Sequence, residues 1–176
     1  MNAGAEAQRR PAPDADVVAR ARAVLEGVAD PEIPVLTLLD LGIIRSIEAA
    51  EDGGLRVGVS PTYSGCPATA VIRADVAAAL QRAGFARVDV FDVLSPPWTS
   101  DWISAAGRDK LAAYGIAPPP VAVASVRALA GRESPVNCPR CGSGDTELLS
   151  EFGSTPCKAL HRCRSCLEPF DRFKCI

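Results

Sequence analysis

The sequence predicts an α+β protein: a two-layer domain with the element order α-β-β-α-β-α, followed by a small C-terminal β module. Two observations carry this prediction. Along residues 14–117 the apolar periodicity changes between helical spacing and strict alternation. Residues 137–176 combine short strand patterns with six of the seven cysteines. The composition, 48% apolar and 23% charged over 176 residues, is ordinary for a globular chain and excludes a disordered or fibrous one.

The first helix follows an N-terminal tail, residues 1–13, which is expected to be flexible and lacks the apolar segment of a secretory signal. Asp14 or Asp16 can cap this helix. The helix is expected to end near Asp30, because Pro31 disfavours the α conformation in the residue before it, and a stiff loop follows. Its apolar face recurs at helical spacing and consists of Val17, Ala21, Val24, Leu25 and Val28.

A β-hairpin and a second helix are predicted next. The β-branched residues 41–48 and the alternating residues 55–59 form the two strands, joined by the turn signal of residues 52–54. A helix over residues 67–83 follows, with a proline tolerated in its first turn and Gly84 as its stop. Its buried stripe consists of Ile72, Val76, Ala79 and Ala83.

A third strand and a third helix complete the predicted domain, which spans residues 14–117. The strand is marked by three valines within residues 88–93. The helix, capped by Thr99 or Ser100, runs to about Tyr114. Residues 118–136 begin with three prolines and continue rich in Ala and Val, so they are interpreted as a linker.

The C-terminal module carries two C-x2-C pairs, Cys138 with Cys141 and Cys163 with Cys166, and 21 residues separate the pairs. This spacing lies just past that of the common zinc ribbon. Four thiolates on two knuckles favour a tetrahedral structural zinc, although such a site can also hold iron or an iron–sulfur cluster. Residues 137–176 are too few to bury a stable core, so metal binding is expected to support their fold. The predicted strands are residues 146–152, 159–163 and 170–173.

Three further side chains of the module are candidate ligands. His161, the only histidine, would face the same side of its strand as Cys163 and could approach the metal, although packing is the favoured interpretation. Cys157 and Cys175 exceed the needs of one four-ligand site. They are interpreted as spare thiols, alternate ligands or a transfer relay. With one histidine, located in the metal module, no Ser-His-Asp hydrolase is expected.

Cys66 stands apart from the other cysteines, at the predicted start of the second helix. A helix N-terminus stabilises a thiolate through its free N–H groups and its dipole. Hydroxyls of Thr62, Ser64 and Thr69 lie nearby in the sequence. This thiol could bind a metal, act as a nucleophile, or merely cap and pack, and the residues alone leave these alternatives open.

Charge and motif content exclude several classes of protein. A net charge of −2 gives no electrostatic footprint for nucleic acid. No stretch reaches the about 18 uninterrupted apolar residues of a membrane span. An odd number of cysteines without a secretion signal indicates a reducing compartment, so a cytoplasmic location is expected. The absence of a G-x-G-x-x-G fingerprint and of an E-x-x-H di-iron pattern argues against catalysis by the chain itself.

The loops around Cys66 resemble the metal–sulfur cluster biosynthetic domain of SufT-type proteins, and the whole pattern over residues 16–176 resembles the PaaD (PaaJ) family. The first resemblance rests on D-P-E-I-P at residues 30–34, D-L-G at 40–42 and P-T-Y-S-G-C-P at 61–67. The second adds W-T-S-D-W-I at 98–103, Y-G-I-A-P-P at 114–119 and the cysteine pattern of residues 138–176. Pro156 departs from the family pattern, in which a small residue such as Ala is expected before Cys157.

The resemblance implies an accessory protein of the phenylacetyl-CoA 1,2-epoxidase system, a ring-epoxidising monooxygenase of phenylacetate catabolism. The implied partners are its di-iron oxygenase, its iron–sulfur flavoprotein reductase, or both. The domain family implies help in assembling or repairing an iron or iron–sulfur centre, with a transient iron or cluster as cargo. Cys66 matches the motif cysteine, and Asp30 and Glu32 match the acidic loop, although a helix stop and a solvated loop explain these two carboxylates equally well.

Alternative functions stay open at this point. The chain could be a non-catalytic assembly subunit with a purely structural zinc, or a thiol-dependent redox enzyme, although a maturation role is favoured. Trp98 and Trp102 belong either to the core or to a partner-docking surface. Assembly into a homo-oligomer is a further open alternative.

Overall fold

The first part of the chain folds in the predicted order α-β-β-α-β-α, in a computed structural model that describes residues 13–50, 52–63, 65–120 and 136–174. The strands form one sheet in the order β1-β2-β3. The first two pair as the predicted antiparallel hairpin, and β3 joins β2 in parallel after a helical crossover. These observations confirm the α+β class. The elements are α1 (Pro13–Leu25), β1 (Ile44–Ala49), β2 (Leu55–Val59), α2 (Thr69–Arg82), β3 (Val88–Asp92) and α3 (Ala105–Tyr114).

The core of this domain lies between the sheet and the helices. α1 contacts β1 and α2, and α2 contacts β3. Each large apolar side chain buried here contributes roughly 1.5–3 kcal/mol relative to exposure. None of the described helices is long and apolar enough to cross a membrane. Fully buried side chains come from all three helices and from the central strand, namely Leu25, Val57, Val76, Leu80 and Leu111.

Two element starts differ from the sequence-based prediction because the backbone turns first. β1 begins at Ile44 rather than at residue 41, since the Leu41 amide donates to the carbonyl of Thr37 and closes a turn. α2 begins at Thr69 rather than at residue 67. Its start follows a turn in which the amide of Cys66 donates to the Tyr63 carbonyl at 3.1 Å. Cys66 therefore lies in the turn before the helix.

The end of α1 and the start of α3 also shift, because hydrogen bonds to distant segments compete with the helices. α1 ends at Leu25, since the following chain forms an isolated bridge between Ala29 and Thr37. Thr99 caps only a 3-10 turn, Ser100–Trp102. The true cap of α3 is Ser104, whose hydroxyl accepts from the Gly107 amide at 2.9 Å.

The C-terminal module is a three-stranded antiparallel sheet of β4 (Thr146–Ser150), β5 (Lys158–Cys163) and β6 (Pro169–Phe173), in that order. The predicted first strand, expected to reach residue 152, ends at Ser150. The Ser150 hydroxyl accepts a hydrogen bond from the amide of Phe152 at 3.2 Å, and the chain turns there. β5 is the central strand, and it carries both His161 and the first cysteine of the second pair.

The C-terminal module packs directly on the first domain. Ala117 donates its amide to the Asp171 carbonyl at 2.8 Å and accepts from the Phe173 amide at 2.9 Å, which forms a short parallel bridge to β6. The Phe173 ring lies 6.0 Å from the ring of Trp98. Phe173 and Cys157 both belong to the hydrophobic core of the first domain. Residues 121–135 of the predicted linker lie outside the described residues.

The two tryptophans have separate roles in packing. Trp98 is buried, and its indole Nε1 donates to the Leu41 carbonyl at 2.9 Å. It is therefore a core residue that holds the N-terminal sheet against β6. Trp102 is partly exposed, and the Arg45 guanidinium lies 3.3 Å from its ring centroid.

Candidate functional site

The four paired cysteines come together at one end of the C-terminal sheet. Cys138 and Cys141 lie in a knuckle closed by the Gly142 amide, which donates to the Cys138 carbonyl at 2.9 Å. Cys163 ends β5, and Cys166 follows in the next turn. The four sulfur atoms all lie within 4.8 Å of one another. Within the described ranges this is the one group of three or more Cys, His, Asp or Glu side chains that converges so closely.

The sulfur geometry fits a tetrahedral ion. The Sγ atoms of Cys138 and Cys166 lie 3.8 Å apart, and those of Cys141 and Cys163 lie 3.6 Å apart. A tetrahedron with metal–sulfur bonds of about 2.3 Å places its sulfurs about 3.8 Å apart. The chain therefore has a four-cysteine metal-binding site that needs little rearrangement to close around an ion.

The thiols of this group compete for protons. Hydrogen bonds from the amides of Cys166 and Ser165 lower the pKa of Cys163 to about 6, against the opposing effect of desolvation. An amide hydrogen bond from Ser143 favours the Cys141 thiolate, but its sulfur neighbours outweigh it and raise the pKa of Cys141 to about 12. Cys163 therefore forms a thiolate more readily than Cys141, and a cation at the centre would favour deprotonation of the neighbouring thiols.

His161 packs within the C-terminal sheet. It is 4% exposed, and its ring stacks on Phe170 with centroids 5.8 Å apart. It is not a member of the converging ligand group formed by the four cysteines. The structure thus places it where the favoured packing interpretation expected it.

The acidic loop after α1 holds two carboxylates in different environments. Asp30 is buried, and its Oδ1 accepts from the amides of Glu32 at 2.9 Å and Ile33 at 2.8 Å. Burial raises the pKa of Asp30, although these amides and the charge of Lys158 oppose that effect. Asp30 is therefore a buried loop cap rather than part of a solvated loop. Glu32 extends towards the C-terminal module, where its Oε2 lies 3.8 Å from the Cys157 sulfur.

Cys66 is half-buried at the base of α2. Its carbonyl accepts from the Thr69 hydroxyl at 2.9 Å, which fixes the turn that carries the thiol. Burial raises the pKa of Cys66, and the charges of Glu32 and Asp30 add to this effect. The amide of Ala68 and the Thr69 hydroxyl favour the thiolate but do not outweigh burial. The thiolate expected from the helix start is thus disfavoured, and the thiol is neutral until a cation approaches.

Cys157 is the site residue whose position the sequence did not reveal. It precedes β5, is 5% exposed, and lies 3.0 Å from the Thr155 hydroxyl. Burial raises the pKa of Cys157 to about 11, and the charge of Glu32 raises it further while Lys158 opposes the rise. Its contact with Glu32 joins residues 125 positions apart, so no local pattern signals it. The one sequence hint was a thiol in excess of the four-cysteine set.

Glu32 and Cys157 thus meet at the interface of the two modules, and the charge of Glu32 also acts on Cys66. Tyr63 lies beside them: burial, followed by the charges of Cys66, Glu32 and Cys157, raises the pKa of the Tyr63 hydroxyl. Cys175 lies outside the part of the chain that the structure describes, so its predicted role as a ligand or relay stays a prediction.

Comparisons with known proteins agree with this two-part organisation. The family of the PaaD zinc beta ribbon domain matches residues 122–174, and the family described as iron-sulfur cluster assembly protein matches residues 19–90. The crystal structure of the domain of unknown function DUF59 from Bacillus anthracis superposes with a TM-score of 0.52 at 26% identity. That match covers 56% of this chain and 93% of the other.

Two relatives extend these matches. A putative 1,2-phenylacetyl-CoA epoxidase subunit of Escherichia coli (strain K12) is 49% identical over 154 residues, which covers 88% of this chain and 90% of that protein. The Fe-S protein maturation auxiliary factor YitW of Bacillus subtilis (strain 168) is 35% identical over 81 residues, which covers 46% of this chain and 78% of that protein.

Proposed function

Because this chain belongs to the family of that putative 1,2-phenylacetyl-CoA epoxidase subunit, we propose that it is an accessory maturation factor of the epoxidase system in phenylacetate catabolism. It helps to assemble or repair an iron or iron–sulfur centre of a partner subunit and does not itself epoxidise the ring. Its partners are the di-iron oxygenase, the iron–sulfur flavoprotein reductase, or both. The resident thiols require a reducing compartment, so we place it in the cytoplasm.

The observation that carries this proposal is a half-buried Cys66 whose thiol feels the charges of Glu32 and Asp30 in the acidic loop. The domain that contains both, residues 19–90, matches the iron-sulfur cluster assembly family, and YitW is named as a maturation factor. A half-buried thiol on which the charge of Glu32 acts is suited to hold an iron species briefly, since neither group is already committed to the four-cysteine site.

We propose zinc as the resident ion of the four-cysteine site. Cys138, Cys141, Cys163 and Cys166 would hold it, and four thiolates leave no open position for substrate. When bound, the ion neutralises the thiolates and ties the two knuckles together. The ion thus stabilises the fold of the C-terminal module. Strands β5 and β6 of the folded module then present side chains to the first domain.

The experiment that tests the maturation role replaces Cys66 in cells that grow on phenylacetate. We expect Cys66→Ser to lower the iron content and the activity of the purified epoxidase by about 10-fold or more, because the variant keeps its fold but loses its iron ligand. Ala70→Ser, an exposed change one position after the start of α2, is the matched control and is expected to support normal epoxidase. Normal iron content and activity with Cys66→Ser would remove the transfer role.

A further inference from the structure

We propose that Cys157, carried by the C-terminal module, is the second thiol of the Cys66 site, and that Cys66, Cys157 and Glu32 together bind a divalent iron ion in transit. This inference rests on the proposed function and deepens it. It assigns the C-terminal module a direct part in handling the cargo, in addition to the four-cysteine site that supports its own fold.

Cys157 of the C-terminal module contacts Glu32 of the first domain. The thiol lies 3.8 Å from Glu32 Oε2 and is buried against the first domain rather than within its own sheet. A thiol that served only the C-terminal fold would have no need of a carboxylate from the loop after α1. The same carboxylate raises the pKa of both Cys66 and Cys157, so its charge acts on both thiols.

Three separate segments hold these groups in place. Asp30 caps the loop that carries Glu32, with hydrogen bonds of 2.9 and 2.8 Å. Thr69 fixes the turn of Cys66 at 2.9 Å. The Cys157 carbonyl accepts from the amide of Lys174 at 3.0 Å, beyond the end of β6. Hydrogen bonds thus restrain each of the three segments that carry these groups, and the 3.8 Å contact of Glu32 with Cys157 joins two of them.

The local charge favours a cation. Asp30 and Glu32 bring two carboxylates to this interface, whereas Lys158 is the cation beside them. The Lys158 ammonium is 6% exposed and already pairs with Asp171 at 3.4 Å. Two soft sulfur ligands with one carboxylate suit a first-row divalent ion such as ferrous iron, with Zn²⁺ as a competitor.

The ligand atoms of this site lie farther apart than those of the four-cysteine group. Across the described residues, only the four cysteines bring three or more ligand atoms within 4.8 Å of one another. An ion at the interface must therefore draw the Cys66, Cys157 and Glu32 side chains inward. That adjustment weakens binding and makes the ion exchangeable, as cargo must be, while the four-cysteine ion stays resident.

The binding step is balanced without a redox partner. Each thiol releases one proton to solvent as its sulfur binds the ion, and the Glu32 carboxylate supplies the third ligand. Iron enters and leaves as Fe²⁺. Two protons per ion are therefore expected for a site with two thiols, and one for a site that uses Cys66 alone.

The test titrates Fe²⁺ without oxygen into the full chain whose four-cysteine site is loaded with Zn²⁺, and uses Co²⁺ as a spectroscopic probe of thiolate ligation. We expect about one further ion per chain, with two protons released. Cys66→Ser and Cys157→Ser should each weaken binding by about 10-fold or more, and the double variant should be little worse than either, because the two sulfurs act on one ion. Glu32→Gln should also weaken binding, whereas Glu26→Gln, exposed just after α1, should not.

The outcomes separate this inference from the proposed function. Release of one proton by the unmodified chain, or unchanged affinity in Cys157→Ser, would overturn the role of Cys157 and leave Cys66 as the transfer thiol. The proton count needs no variant, so it decides even where Cys157→Ser fails to fold. Normal epoxidase maturation with Cys66→Ser in cells would instead overturn the proposed function.

Discussion

Asp40 fastens the loop before β1 to the third helix and its cap. Asp40 Oδ2 accepts from the Thr37 amide at 3.0 Å and from Lys110 Nζ at 2.6 Å, and Oδ1 accepts from the Ser104 hydroxyl at 3.2 Å. Burial would raise the pKa of Asp40, but Lys110 and Thr37 outweigh it and lower the pKa below its usual value. This carboxylate is therefore fully engaged in the fold.

Adding a single methyl group at Gly42 should lower the free energy of unfolding strongly. The φ of Gly42 is +67°, and an added Cβ would lie 2.7 Å from both Cβ and the carbonyl oxygen of Trp102. Left-handed backbone costs an L-residue about 1–2 kcal/mol, and overpacking adds about 1–3 kcal/mol. We expect Gly42→Ala to lower the free energy of unfolding by about 2–5 kcal/mol in urea titrations.

Gly84→Ala is the matched control for this prediction. Gly84 has a φ of +93°, but an added Cβ would meet nothing within 4 Å. The free energy of unfolding of Gly84→Ala should fall only by the cost of the left-handed backbone, about 1–2 kcal/mol. Equal losses for the two variants would contradict the close contact between Gly42 and Trp102.

At the scale of elements, the local sequence pattern predicted which helices and strands form, whereas contacts between distant residues determine where each of them begins. The alternating residues of β2 and the buried positions Ile72 and Val76 of α2 follow from neighbouring residues, so they could be predicted. The predicted stripe was wrong at its C-terminal end, where Ala83 is exposed after the last helical residue and Leu80 is buried instead.

The start of α3 could not be predicted, because Thr99 and Ser104 are both good caps. Ser104 prevails since its amide also donates to the Asp40 carbonyl at 2.8 Å, a contact across 64 positions.

The four-cysteine site could be predicted because its ligands come in two local pairs with a familiar spacing. We expect the isolated protein to contain about one tetrahedrally bound zinc. Removing it with a chelator, or by Cys141→Ser, should abolish protection of the β5 and β6 amides in hydrogen-exchange measurements. The amides of α2 should stay protected, because its core residues lie in the other sheet's domain.

This expectation has a clear contrary result. Elemental analysis that finds no metal, together with strand amides that still exchange slowly, would show that the module folds without an ion. The packing of Phe173 and Cys157 on the first domain would then be what stabilises the module.

At the scale of the whole molecule, the second thiol emerged only from the packing of the two modules. Phe173 lies near Trp98, and β6 pairs with Ala117, so the C-terminal sheet is anchored at two points on the first domain. That anchoring brings Cys157 to Glu32. Sequence spacing cannot encode such a contact, which is why Cys66 and Glu32 were identified as transfer candidates while Cys157 stayed open between spare thiol, alternate ligand and transfer relay.

In the proposed scheme, the resident metal is coupled to the cargo site. β5 directly follows Cys157 along the chain and ends at Cys163 of the four-cysteine group. Loss of the resident ion should therefore loosen the second thiol as well. A maturation factor built in this way would bind cargo only when its own C-terminal module is folded.

The central claim is that this chain acts in maturation and not in turnover, and steady-state kinetics test it most directly. The oxygenase and reductase are matured in the presence of this protein, purified away from it, and assayed with phenylacetyl-CoA. We expect an undiminished rate without the protein, and iron-poor, inactive enzyme when the protein is missing during maturation. A stoichiometric requirement for the protein during steady-state turnover of the mature enzyme would contradict the account and identify an assembly subunit.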